Sequence, residues 1–159
     1  MQPVMELRNA IGSRLPAGLA GAMLLAALLA GCGGSGSLSH GQLTARAATA
    51  CRQANASVAR LGGPGTDYPA LRKYAGQVSP IVSRLIHTLH GLKANSTDKP
   101  ALERYVNALQ DGEHGLALLA RASSPAQLSQ ATSLLDSESI PSLAGALGAP
   151  ACGTSISPA

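Results

Sequence analysis

The chain has no tryptophan and no phenylalanine, and only three tyrosines, Tyr68, Tyr74 and Tyr105. Aromatic side chains bury the most area per residue and dominate binding interfaces. Their scarcity argues against a platform that stacks sugars or nucleobases. It also leaves the core to Leu, Ala, Val and Ile, and because each alanine buries little, such a core is thin for its length. Acidic residues are few as well, eight against twelve Lys and Arg. The basic residues are scattered with no long run, so nucleic acid is not an expected partner. Only a generic, mild attraction to an anionic membrane surface follows from the excess.

The usual catalytic signatures are missing too. There is no Gly-x-Ser-x-Gly nucleophile elbow, no Glu-x-x-His pair of the di-iron kind, and no phosphate-cradling or dinucleotide fingerprint. Gly62-Gly63-Pro64-Gly65 reads as a turn, and Asn95-Ser96-Thr97 as a chance match to a glycosylation pattern. His87 and His90 share one side of a helix and would begin a metal or haem site, but no third ligand stands near them. Glu113 falls between Leu109 and Leu116 on an apolar face, where a buried carboxylate needs a partner. No cofactor and no enzymatic activity are expected, since no nucleophile–base or metal constellation is evident.

What is present begins with three zones in residues 1–31. Arg8 and Arg14 outweigh Glu6, Leu15 to Ala30 carries no charge, and small residues close the run at Ala30-Gly31. That is the layout of a secretory signal, and the apolar stretch, interrupted by Pro16, is short for a spanning helix. The run ends in Leu29-Ala30-Gly31-Cys32. This stretch resembles the lipobox of bacterial lipoproteins at all four positions. The resemblance covers residues 1–32 and implies that Gly31–Cys32 is the bond cut by a dedicated signal peptidase. It implies further that the Cys32 thiol carries diacylglycerol, placing the protein at the extracytoplasmic face of a cell membrane.

With Cys32 assigned to lipid, two of the three cysteines remain, Cys51 and Cys152. Export favours pairing them, and the alternative is two buried free thiols. A bond between them would close a loop of about 100 residues, worth up to roughly 4–5 kcal/mol in the chain-entropy model.

After Cys32, Gly33 to Gln42 is Gly/Ser-rich and reads as a flexible tether, making 32–42 a lipidated linker. Residues 43–153 form one domain, and 154–159 a disordered tail. Leu43, Ala47, Ala50, Ala54, Val58 and Leu61 give a first helix one apolar face, with Cys51 at its edge. Thr66 and Asp67 offer caps for a second helix, with Pro69 in its first turn. Its strong face runs from Leu71 to Leu92, with Pro80 set to kink or split it near Ser79. Asp98 and Pro100 open a third helix, which Gly112 and Gly115 weaken. Ser124-Pro125-Ala126-Gln127 fits a capping box for a fourth, which runs to Leu147 with Pro141 inside it.

No segment alternates with period two. The expected fold is therefore all-α, an antiparallel up-and-down bundle of about four helices, with the first and fourth as neighbours. Cys51 lies mid-helix while Cys152 follows the last helix, so pairing requires the chain past Gly148 to fold back over the bundle. The expected function is a non-enzymatic binding or structural role in the envelope, with another envelope protein as a possible partner. The domain resembles the small Ala-rich helical lipoproteins of bacteria, a likeness that rests on architecture and on one Cys near each end of the domain. The alternative is a carrier of a small apolar ligand or haem, with Tyr68, Tyr74, His87 and His90 lining one end of a pocket between helices.

Overall fold

The computed structural model describes residues 36–135 and 139–153. The segment 1–31 with Leu29, Ala30 and Gly31, the lipidation position Cys32, and the tail 154–159 lie outside the described residues. The described chain is all-α: α1 (His40–Ala59), α2 (Tyr68–His90), α3 (Lys99–Arg121), α4 (Pro125–Leu135), α5 (Ser139–Ala146) and a 3-10 turn, η1 (Pro150–Cys152). Consecutive helices pack as an up-and-down bundle, α1 on α2, α2 on α3 and α3 on α4, with α5 returning to α3. None of the described helices is long and apolar enough to cross a membrane.

α1 starts at His40, earlier than the apolar pattern suggests. Ser39 caps it: its hydroxyl accepts from the Gln42 amide, and the Gln42 side chain accepts from the Ser39 N–H. This reciprocal capping box satisfies two donors that a helix start otherwise leaves open. Just before it, the Leu38 N–H donates to the Lys93 carbonyl at 2.6 Å, and Leu38 pairs in parallel with Ala94. The buried face of α1 is Leu43, Ala47, Ala50, Cys51, Ala54 and Val58. Cys51 sits inside the core rather than at its edge, at 1% exposure.

α2 begins where Asp67 accepts from the Ala70 N–H at 2.7 Å. It runs unbroken through the exposed Pro80, so the expected split near Ser79 does not occur. α3 likewise runs through Gly112 and Gly115. The second of these has a packing reason: a Cβ on Gly115 would lie 3.1 Å from Leu134 Cβ and 3.2 Å from the Ala131 carbonyl. The bare backbone of α3 is what lets α4 approach. The expected fourth helix is two helices, and Pro141 falls in the first turn of α5, where its missing N–H costs nothing. Ser124 accepts from the Gln127 N–H as expected. The Gln127 carboxamide, however, reaches back to the Ser123 N–H and hydroxyl instead of closing a box on Ser124.

The end of α5 decides where the chain goes next. Gly148 takes φ +73°, its N–H donates to the Gly145 carbonyl, and the Ala149 N–H donates to Ala144 at 2.9 Å. This pair of bonds is a Schellman motif, with the fully buried Ala149 lying against Ala144. The left-handed turn sends the chain back toward α1. There the Thr44 hydroxyl donates to the Leu147 carbonyl, and the Asn55 amide to the Ala151 carbonyl at 3.0 Å. The neighbour of α1 across the bundle is thus η1, not α4. A Gly148→Ala variant should lose about 1–2 kcal/mol, the cost of placing a Cβ in the left-handed region. Urea unfolding of the two proteins measures it, and equal midpoints would remove the turn from this role.

Candidate functional site

Two constellations bring chemistry-bearing side chains together among the described residues, one at the middle of α1 and one at its start. The first is the cross-link. Cys51 and Cys152 are bonded to each other, with Cα atoms 5.1 Å apart across a sequence separation of 101. The Cys152 side comes from η1, so the fold-back past Gly148 is what brings the sulfurs together. Tyr105 of α3 packs beside them at 1% exposure. Its hydroxyl donates to the Cys152 carbonyl at 2.9 Å and lies 3.8 Å from Cys51 Sγ. A disulfide sulfur carries no proton, so the phenol's one hydrogen goes to the carbonyl. Burial pushes the Tyr105 hydroxyl up to about 12, which keeps it a donor across the physiological range.

The second constellation joins the start of α1 to the α2–α3 turn. His40 Nδ1 stands 2.9 Å from Asp98 Oδ1. Asp98 Oδ2 accepts from the Asn95 amide at 2.6 Å, and the same amide donates to the Leu38 carbonyl. Asn95 Oδ1 accepts from the Thr97 and Asp98 N–H groups, closing an Asx turn. Asn95-Ser96-Thr97 is therefore structural in this fold. Asp98 precedes α3 as expected, yet its side chain makes no capping bond to that helix. The hydrogen bond from His40, followed by those of the Asn95 amide and the His40 charge, holds the Asp98 carboxyl below the usual carboxylate range.

The remaining candidates do not converge. His87 and His90 are both exposed in the last turn of α2, where positive charge suits the helix dipole. Glu113 is half-buried on α3. Among the described residues no three His, Cys, Asp or Glu side chains come together as metal ligands. Tyr68 opens α2 and His87 and His90 close it, and at about 1.5 Å per residue the ends of this unbroken helix are roughly 30 Å apart. The four side chains expected to line one end of a pocket therefore cannot meet there. The expectation failed because it allowed Pro80 to fold the helix. His40 and Asn95 were missed. The Ser39-x-x-Gln42 capping box was the available signal for His40, since it places that residue at the first helical position.

Comparison with protein-family models, curated proteins and solved structures returns no match.

Two outcomes follow from the geometry. Replacing Cys51 and Cys152 together by alanine should lower stability by about 4–5 kcal/mol at most, the loop-closure value for this span. Thermal unfolding with and without reductant should show the same loss for the unmodified chain, and a reductant-insensitive midpoint would contradict it. At the other constellation, a depressed acid stabilises the fold above its unfolded pKa and loses that contribution as pH falls through its folded pKa. In His40→Ala, Asp98 should titrate at higher pH than in the unmodified chain, so its stabilising contribution shrinks and less stability is lost to acid. Carboxyl-carbon NMR titration reads the shift, and an unmoved Asp98 would show that His40 does not set it.

Proposed function

We propose that the protein is a lipid-anchored component of the bacterial envelope, held at the extracytoplasmic face of a membrane by diacylglycerol on Cys32. Its helical domain acts there by binding or structural support, without catalysis. The sequence Leu29-Ala30-Gly31-Cys32 at the end of an uncharged run carries the anchoring part. The observation that supports it from the fold is the Cys51–Cys152 bond. Such pairs persist in oxidising compartments outside the cytosol, and this one accounts for every cysteine but Cys32. The non-catalytic part rests on the two polar constellations, in which His40, Asp98, Asn95 and Tyr105 are all engaged in hydrogen bonds that fasten segments of the bundle together.

Mass spectrometry of protein extracted from membranes tests the anchor. The expected chain starts at Cys32 and carries a diacylglycerol mass, and it stays with the membrane through a high-salt wash. Cys32→Ser should lose the lipid mass. A mature chain that starts elsewhere, or that lacks the lipid, would refute the anchor.

A further inference from the structure

The charges that are scattered in the sequence are sorted by the fold. α1 with its C-cap carries Arg46, Arg52 and Arg60, and α2 carries Arg72, Lys73 and Arg84, while neither helix contains an Asp or Glu. α3 instead interleaves Lys99, Arg104 and Arg121 with Glu103, Asp111 and Glu113. α4 and α5 carry no charged side chain. Arg72 is spent inside the bundle, where its guanidinium donates to the Ala122 carbonyl at the end of α3. The other five cations of α1 and α2 are exposed. Arg52 and Arg60 bond only the hydroxyls of Thr49 and Ser57 one turn back. Among the described residues the ion pairs are His40–Asp98 and Lys99–Glu103, so none of these five is neutralised by a described acid.

Four of the five share a surface. Arg46 and Arg60 stand about four turns apart on one stripe of α1, and Lys73 and Arg84 about three turns apart on one stripe of α2. The flank of α1 bearing Thr44 and Asn55 is covered by the C-terminal segment, and the flank of α2 bearing Arg72 faces α3. The two stripes are left on the outer side that α1 and α2 have in common. The helices run antiparallel, registered by Leu38 against Ala94, which brings Arg46 level with the turn of Arg84 and Arg60 level with that of Lys73.

We propose that this shared outer surface of α1 and α2 is a membrane-docking face that lays the bundle along anionic phospholipid headgroups. The proposal rests on the lipid-anchor reading for the nearness of a bilayer. The surface is broad and cationic, and the one large apolar side chain well exposed among the described residues is Tyr68. A protein partner would need buried aromatic or aliphatic anchors, whereas a headgroup layer needs only spread positive charge. Leu38 is fixed against Lys93 and Ala94, and it stands six positions after Cys32 in the sequence.

The test uses the chain from residue 32 with Cys32→Ser, so that no lipid takes part and failure of the anchor reading cannot mimic failure of this one. Its partitioning is measured onto vesicles of phosphatidylcholine with one-third phosphatidylglycerol, and onto phosphatidylcholine alone. Binding is expected on the anionic vesicles only, and should fall steeply as salt is raised. Joint Lys73→Gln and Arg84→Gln should weaken it roughly thirty-fold, from about fivefold per cation near the surface. Joint Lys99→Gln and Arg104→Gln on α3 should leave it nearly unchanged, and circular dichroism confirms that both variants are folded. Equal binding to neutral vesicles, no binding to anionic ones, or equal losses from the two variants would overturn the proposal. So would retention by soluble polyglutamate at a salt concentration that frees the protein from anionic vesicles, which would make an acidic macromolecule the partner.

Discussion

The cross-link between Cys51 and Cys152 is the constraint on which the rest of the arrangement depends. Among the three long helices, α1 has the thinnest apolar face. Half of its buried residues are alanine, with Leu43 and Val58 as the larger members, whereas α2 buries Val78, Val82, Leu85, Ile86 and Leu89. An alanine-rich face permits close approach but removes little apolar area from water. The covalent bond compensates by tying the middle of α1 to the end of the chain, across nearly the whole domain. The largest fully buried side chain, Tyr105, lies against that bond and satisfies its own hydroxyl on the Cys152 carbonyl. Packing and hydrogen bonding thus meet at the cross-link instead of being spread through the core.

The opposite fastening of α1 is polar. Leu38, His40, Asn95 and Asp98 tie its first turn to the loop between α2 and α3. These bonds sit near solvent, where each is worth little alone. Their effect is positional, because Asn95 contacts both the approaching chain and the carboxylate that holds His40. Leu38, just before α1, is thereby fixed against the α2–α3 loop. The Schellman turn at Gly148 does the equivalent work at the other terminus. Both ends of the domain are closed onto α1 by local backbone chemistry.

Much of this was legible in the sequence, and the losses have specific causes. Apolar spacing at three and four residues identified the helices and nearly all of the core, since helix periodicity depends on residue type alone. The Cys51–Cys152 pairing and the fold-back it requires could be read because cysteine count and chain geometry leave few options. Pro80 misled, since a proline at an exposed position within a long, well-packed helix costs less than the burial it would sacrifice by breaking that helix. Asp98 misled in another way. It occupies a capping position, but a nearby histidine from a distant part of the chain captured its carboxylate. Such tertiary partners leave no mark in local sequence, which is also why the charges of α1 and α2 look scattered until the two helices are placed side by side.

That charge distribution bears back on the cross-link. Two adjacent helices carrying cations and no acids repel each other, and the exposed arginines of α1 gain nothing from α2 in return. A bundle selected for stability alone would place acids on one of the two helices, as α3 does within itself. α1 therefore combines an apolar face thinner than those of α2 and α3 with an uncompensated charge, two features that both favour its release. The disulfide acts against both at once, because it removes the extended unfolded states into which α1 would otherwise escape. Local choices that run against stability tend to mark surfaces kept for another purpose, and they persist where something elsewhere offsets them. On this view the cross-link and the cationic face are one design: the bond at the inner side of α1 is what permits the outer side to stay unpaired.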